Sequence, residues 1–151
     1  MNDLFGNAPQ PSKLKAISLW QPWASAIAFG LKRIETRSWS TPYRGVIAIH
    51  AAKRWTADER DYADMFADRY DTRLRNAPRG VIVAVARIVD CRRTESLHVC
   101  EQEYDFGNFG PERYGWLLDD VRELREPVPC RGFQSMWPLD QGIADLVSAR
   151  L

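Results

Sequence analysis

The sequence predicts a mixed α+β fold: a small β-barrel with flanking helices. Three observations carry that expectation. Residues 81–89, VIVAVARIV, are almost continuously apolar and β-branched, the mark of a strand covered on both faces, as in a closed barrel or the middle of a sheet. Residues 44–53, RGVIAIHAAK, are the clearest strand of the front half. Helical segments with definite start and stop signals alternate with such strands, without an internal repeat or a second-domain linker.

The elements follow in order. Residues 1–12 read as a flexible leader and 13–151 as one domain, a length that buries about 68–70% of its unfolded surface. Lys13–Leu19 is a first strand. The segment 20–30, WQPWASAIAFG, is a helix: Pro22 suits its first position, Trp23 and Ile27 share a face, and Gly30 is a left-handed stop. Residues 34–39, IETRSW, form a strand with Glu35, Arg37 and Trp39 on one face and Ile34, Thr36 and Ser38 on the other. After a TPYRG turn, the strand 44–53 sends Val46, Ala48 and His50 one way and Ile47, Ile49 and Ala51 the other, with Lys53 just past its end.

Thr56 and Glu59 make a capping box for a helix to about Tyr70, whose expected buried stripe is Tyr62, Met65, Phe66 and Tyr70. After the 81–89 strand, residues 92–112 read as a long acidic loop containing one helical turn. Residues 114–124 return to strand and turn near Asp119 and Asp120. Residues 130–139 read as a loop with a short helical turn, and 139–148 as a closing helix.

Composition narrows the function. A formal net charge of +1 excludes a globally basic nucleic-acid binder, yet residues 31–55 hold six basic residues against Glu35 alone. Four of the six tryptophans, Trp20, Trp23, Trp39 and Trp55, lie in or beside that stretch. Cations interleaved with aromatics suit a surface that holds phosphates while bases stack. There is no run of eighteen apolar residues and no signal-peptide pattern, so no membrane partner is expected. Three irregularly spaced cysteines point to a reducing, cytoplasmic setting, and Cys91, His98 and Cys100 match no common closed zinc spacing. No metal or other cofactor is predicted.

Gly30-x-Lys32-x-x-Glu35-x-Arg37 resembles the GxKxxExR signature of the ASCH domain, a member of the PUA-like superfamily of RNA-associated β-barrels. The resemblance extends over residues 15–138, through SLWQPWASAIAFG, TPYRGVIAIHAAK and PVPCRGFQSMW. It implies a cleft between barrel and helices, lined by the signature residues, that takes single-stranded RNA, a nucleotide or a nucleoside. Some small members hydrolyse acetylcytidine with a lysine, a threonine three positions later and a downstream glutamate. Here the lysine is Lys32, and Glu35 stands in the threonine's place. Prokaryotic members similar to this chain are associated with RNA cleavage.

The binding candidates are therefore Gln21, Trp23, Lys32, Arg37, Trp39, Lys53 and Gln134. Lysines and arginines neutralise phosphates, amides read a base edge, and indoles edge the pocket. The catalytic candidates are Lys32, Glu35 and Lys53, with a divalent ion such as Mg if RNA is cleaved. His50 shares its strand face with Val46 and Ala48 and reads as a hydrogen-bonded core histidine. Three functions remain open: an RNA or nucleotide binder, a hydrolase of RNA or a modified nucleoside, and a protein-interaction module.

Overall fold

Alternation in residues 45–51 sorts the core. Ile47 and Ile49 pack with Ile17, Leu19, Ile27 and Trp116 on one side of a sheet, whereas Ala48 packs with Ala16, Val85, Val128 and Leu139 on the other. Each fully buried isoleucine contributes about 1.5–3 kcal/mol relative to exposure. The computed structural model of the protein describes residues 10–151. Its strands are β1 (Pro11–Leu19), β2 (Ile34–Arg37), β3 (Gly45–Ala51), β4 (Val81–Arg93), β5 (Tyr114–Pro129) and β6 (Met136–Asp140). Its helices are α1 (Trp23–Ala28), α2 (Ala57–Arg69), α3 (Glu101–Phe106) and α4 (Gln141–Ala149). No helix among the described residues is long and apolar enough to cross a membrane. Most of the expected leader lies outside the described residues, and its last two, Pro11 and Ser12, open β1.

The α+β class holds, but the sheet is open rather than a closed barrel. Its order is β2-β5-β4-β3-β1-β6, with only β1 and β3 parallel. Among the described residues β2 bonds only to β5 and β6 only to β1, so both are edges there. The sheet nonetheless curls until Arg37 at the end of β2 donates from Nη2 to the Ser18 carbonyl of β1 at 2.8 Å. A side chain spans the opening that a sixth strand pairing would have closed.

Three expectations change in detail. Residues 136–140 are not a helical turn but β6, antiparallel to β1. Pro138 hid the strand, and an edge strand tolerates it because one side of its backbone needs no ladder donor. β5 runs on through Pro127 to Pro129, beyond the expected end at 124, with register shifts against β4 and a left-handed Asp120 (φ 46°) near the anticipated turn. In α2 the buried residues are Glu59, Ala63, Phe66 and Ala67, while Tyr62 and Met65 are exposed. The helix approaches its neighbours through small alanines, which rotates Tyr62 outward. The helical turn expected within 92–112 is α3.

The capping box at α2 is present, and Thr56, Arg54 and the Thr56 amide all donate to Glu59. Burial alone would raise the Glu59 carboxyl, but the bonds from Thr56 and Arg54 outweigh it and hold the pKa at about 2, from 4.5. A carboxyl depressed in the folded state stabilises above its unfolded pKa, and that contribution is lost as pH falls through the folded one. Urea midpoints are therefore expected to drop between about pH 4.5 and 2, with Glu59→Gln removing part of that drop.

Candidate nucleic-acid interface

Gly30 (φ 76°) ends α1 in the left-handed conformation, and the amides of Leu31 and Lys32 both fold back onto the Ala26 carbonyl. That reversal sends the Lys32 side chain beneath β2. Its Nζ donates to the carbonyls of Ile34 and Phe106, the latter at 3.2 Å, and lies 3.4 Å from Glu35 Oε1. Lys32 is 1% exposed. Glu35 also accepts from the Thr36 amide at 3.2 Å and, through Oε2, from Arg37 Nε at 3.0 Å. The signature charges do converge, but as a layered cluster: Lys32 is the floor, Glu35 the middle and Arg37 the face toward solvent.

That face borders a cleft of about 500 Å³ between the sheet, α1, α2 and α3. Trp20, Trp23 and Tyr62 form its aromatic wall, with the Trp23 and Tyr62 rings 5.2 Å apart. Arg37 and Arg113 supply its cations. Arg113 is aimed by bonds to the carbonyls of Asn108 (3.1 Å) and Thr36 (3.3 Å), and Thr36 Oγ1 in turn accepts from the Asn108 amide. Asp105, the cleft's other carboxylate besides Glu35, is bonded to the Tyr70 hydroxyl and Arg69, which hold its pKa down. Both acids are thus neutralised by partners, and the cleft presents net donor character.

A second cavity of about 1210 Å³ lies on the other side of Ser18. Lys53 and Gln134 line it, together with His50, Arg131, Phe133 and Trp137. His50 behaves as a hydrogen-bonded core histidine, 2% exposed. Its Nε2 faces the Cys130 carbonyl at 2.7 Å and so carries the proton, leaving Nδ1 to accept from Ser18 Oγ at 2.8 Å. Burial lowers its pKa, opposed by the bond to Cys130, so the ring is neutral at pH 7.

The residues singled out from sequence therefore divide. Trp23 and Arg37 border the smaller cleft with Glu35, while Lys53 and Gln134 border the larger cavity. Lys32 and Gln21 line neither cavity. The Gln21 amide is committed to Ser25 and the Pro78 carbonyl, which fixes the start of α1. Trp39 stands outside the cleft as a support for Arg37, whose guanidinium lies 5.4 Å from its ring. Lys32, Glu35 and Lys53 do not meet in one cavity. Sequence reasoning missed Tyr62, Arg113, Arg131 and Phe133. Arg113 left no local signal, because the fold brings it to Thr36 from 77 positions away.

Comparison with known proteins places the chain by family and fold. A family model described as the ASCH domain matches residues 17–134. The chain is 26% identical over 133 residues to activating signal cointegrator 1 of mouse and, equally, of human. The match covers 84% of this chain but 22% of each relative, so the chain spans about a fifth of their length. A crystal structure of ASCH from Zymomonas mobilis superposes with a TM-score of 0.56 at 22% identity, covering 90% of this chain and 94% of that one. A single-residue variant of that protein gives 0.57 at 19% identity, covering 91% and 98%. Structural identities this low speak to fold alone, but the family match spans residues 17–134, most of the chain: the chain belongs to the ASCH domain family.

Proposed function

We propose that the smaller cleft binds a nucleotide unit of RNA, with phosphate on Arg37 and Arg113 and the base against Trp20, Trp23 and Tyr62. The observation that carries this reading is the pairing of two held guanidiniums with an aromatic wall around one hollow, its carboxylates already matched. Arginine forks suit phosphate oxygens, and stacking on an aromatic ring contributes about 1–3 kcal/mol per base without demanding a sequence. Lys32 and Glu35 act here as positioning residues, since they hold Arg37 rather than touch ligand.

The test is binding of labelled octauridylate by fluorescence anisotropy across a salt series. Two phosphates neutralised in this cleft contribute about −1.4 to the log–log salt slope, and Arg113→Ala is expected to make the slope shallower by about 0.7. Affinity of the same variant should fall roughly tenfold, equivalent to about 1.4 kcal/mol. Undetectable binding at low salt, or an unchanged slope in Arg113→Ala, would remove the reading.

A further inference from the structure

Four separate chain segments are laced together at the end of the sheet where both cavities open. The Ala52 amide bonds the Leu19 carbonyl at 2.9 Å, the Gly80 amide the Ala51 carbonyl at 2.7 Å, and the Cys130 amide the Gly80 carbonyl at 3.1 Å. This follows from topology: parallel β1 and β3 finish here, antiparallel β4 starts here, and β5 returns here. Each segment delivers a cation or an aromatic ring. Arg54 lies 4.2 Å over Trp20, Arg79 4.6 Å over Trp55, and Arg131 5.3 Å from the Phe133 ring. Residues 19–20, 52–55, 79–80 and 130–134 contain no aspartate or glutamate. Trp20 and Phe133 are about half exposed, at 49% and 52%.

The two cavities adjoin across this band. Ser18 borders both. Lys53 lines the larger, and its chain neighbour Arg54 covers Trp20, which lines the smaller. Ser18 is thus itself the crest between the hollows, and Trp20 stands two residues, about 7 Å of extended chain, along the wall of the smaller one. The crest between the hollows is therefore a single residue wide, within the reach of one nucleotide step, with Arg37 and Arg113 on one side and Lys53 and Arg131 on the other.

We propose that the larger cavity is a second nucleotide subsite, so that the ligand is a single RNA strand of at least two nucleotides crossing the Ser18 crest. This rests on the reading of the smaller cleft given above. Lys53 and Arg131 meet the phosphate on the far side of the crest, Phe133 offers the second stacking face, and Trp20 with Arg54 marks the crossing. A free mononucleotide fills only half of such a site, and a duplex cannot present unstacked bases to both halves.

The experiment compares uridine monophosphate with uridylate strands of two, four and eight nucleotides, each as competitor against labelled octauridylate at fixed salt. The tetramer is expected to bind at least tenfold more tightly than the mononucleotide, with most of the gain present in the dimer. In Lys53→Glu and in Arg131→Glu the ratio of tetramer to mononucleotide affinity should fall toward one, with circular dichroism reporting an intact fold. Measurable mononucleotide binding with no gain from length, a ratio unmoved by both variants, or a duplex bound as tightly as the single strand would each overturn the two-subsite ligand while leaving the smaller cleft's role standing. Absence of binding at every length would remove both.

Discussion

Glu35→Ala is expected to destabilise the protein by about 3–5 kcal/mol, a large share of the 5–15 kcal/mol that holds an ordinary domain folded. Among the described residues, the substitution leaves Lys32, 1% exposed, with its ammonium facing two carbonyls, and frees Arg37 from the one carboxylate it pairs with. Burying an ammonium without a counter-charge costs far more than the pair gains when intact, so the loss reflects the abandoned cation more than the missing contact. Urea unfolding should show a lower midpoint at unchanged slope. The double variant Lys32→Met with Glu35→Leu removes both buried charges and should be less unstable than the sum of its single variants by about 0.5–3 kcal/mol. Strict additivity would mean that the two groups do not share one cluster. Because Arg37 is also released, RNA affinity in Glu35→Ala should fall even under conditions where the variant remains folded.

The period-two reading of β3 placed His50 on the Ala48 face, and the run 81–89 identified the strand that sits between β3 and β5. Those features are local: hydrophobic alternation is written residue by residue. The ion pairing of Lys32, Glu35 and Arg37 is local too, because the turn at Gly30 and a four-residue strand fix their relative positions. What the local sequence could not show is depth. Whether a lysine three residues before a glutamate faces water or carbonyls depends on Phe106, which arrives from α3, 74 positions later. Exposure of Tyr62 depends in the same way on Ala63 and Ala67 fitting closely against their neighbours. β6 was hidden by Pro138, whose cost vanishes only once the strand is known to lie at an edge. The basic band at the sheet end was illegible because its members come from four segments joined only by strand topology.

Gly132 gives the second large effect, and it acts on stability and on the larger cavity together. A β-carbon there would stand 2.5 Å from His50 Cε1, 2.7 Å from Nδ1 and 2.8 Å from Ser18 Oγ, closer than packed atoms allow. The imidazole cannot retreat, since Nε2 is bonded to the Cys130 carbonyl and Trp137 meets the ring edge-on at 5.7 Å. The 130–134 loop must therefore lift, carrying Arg131 and Phe133 with it. Gly132→Ala is expected to cost about 1–3 kcal/mol in urea unfolding, the range for overpacking a filled site. It should also reduce the affinity gain of tetrauridylate over uridine monophosphate. In a His50→Ala background the same substitution has room for its methyl group, so its cost should shrink and the two changes should be coupled rather than additive. A Gly132→Ala protein as stable as its parent would mean that the loop does not close on His50 and Ser18, and that the larger cavity lacks the wall described for it.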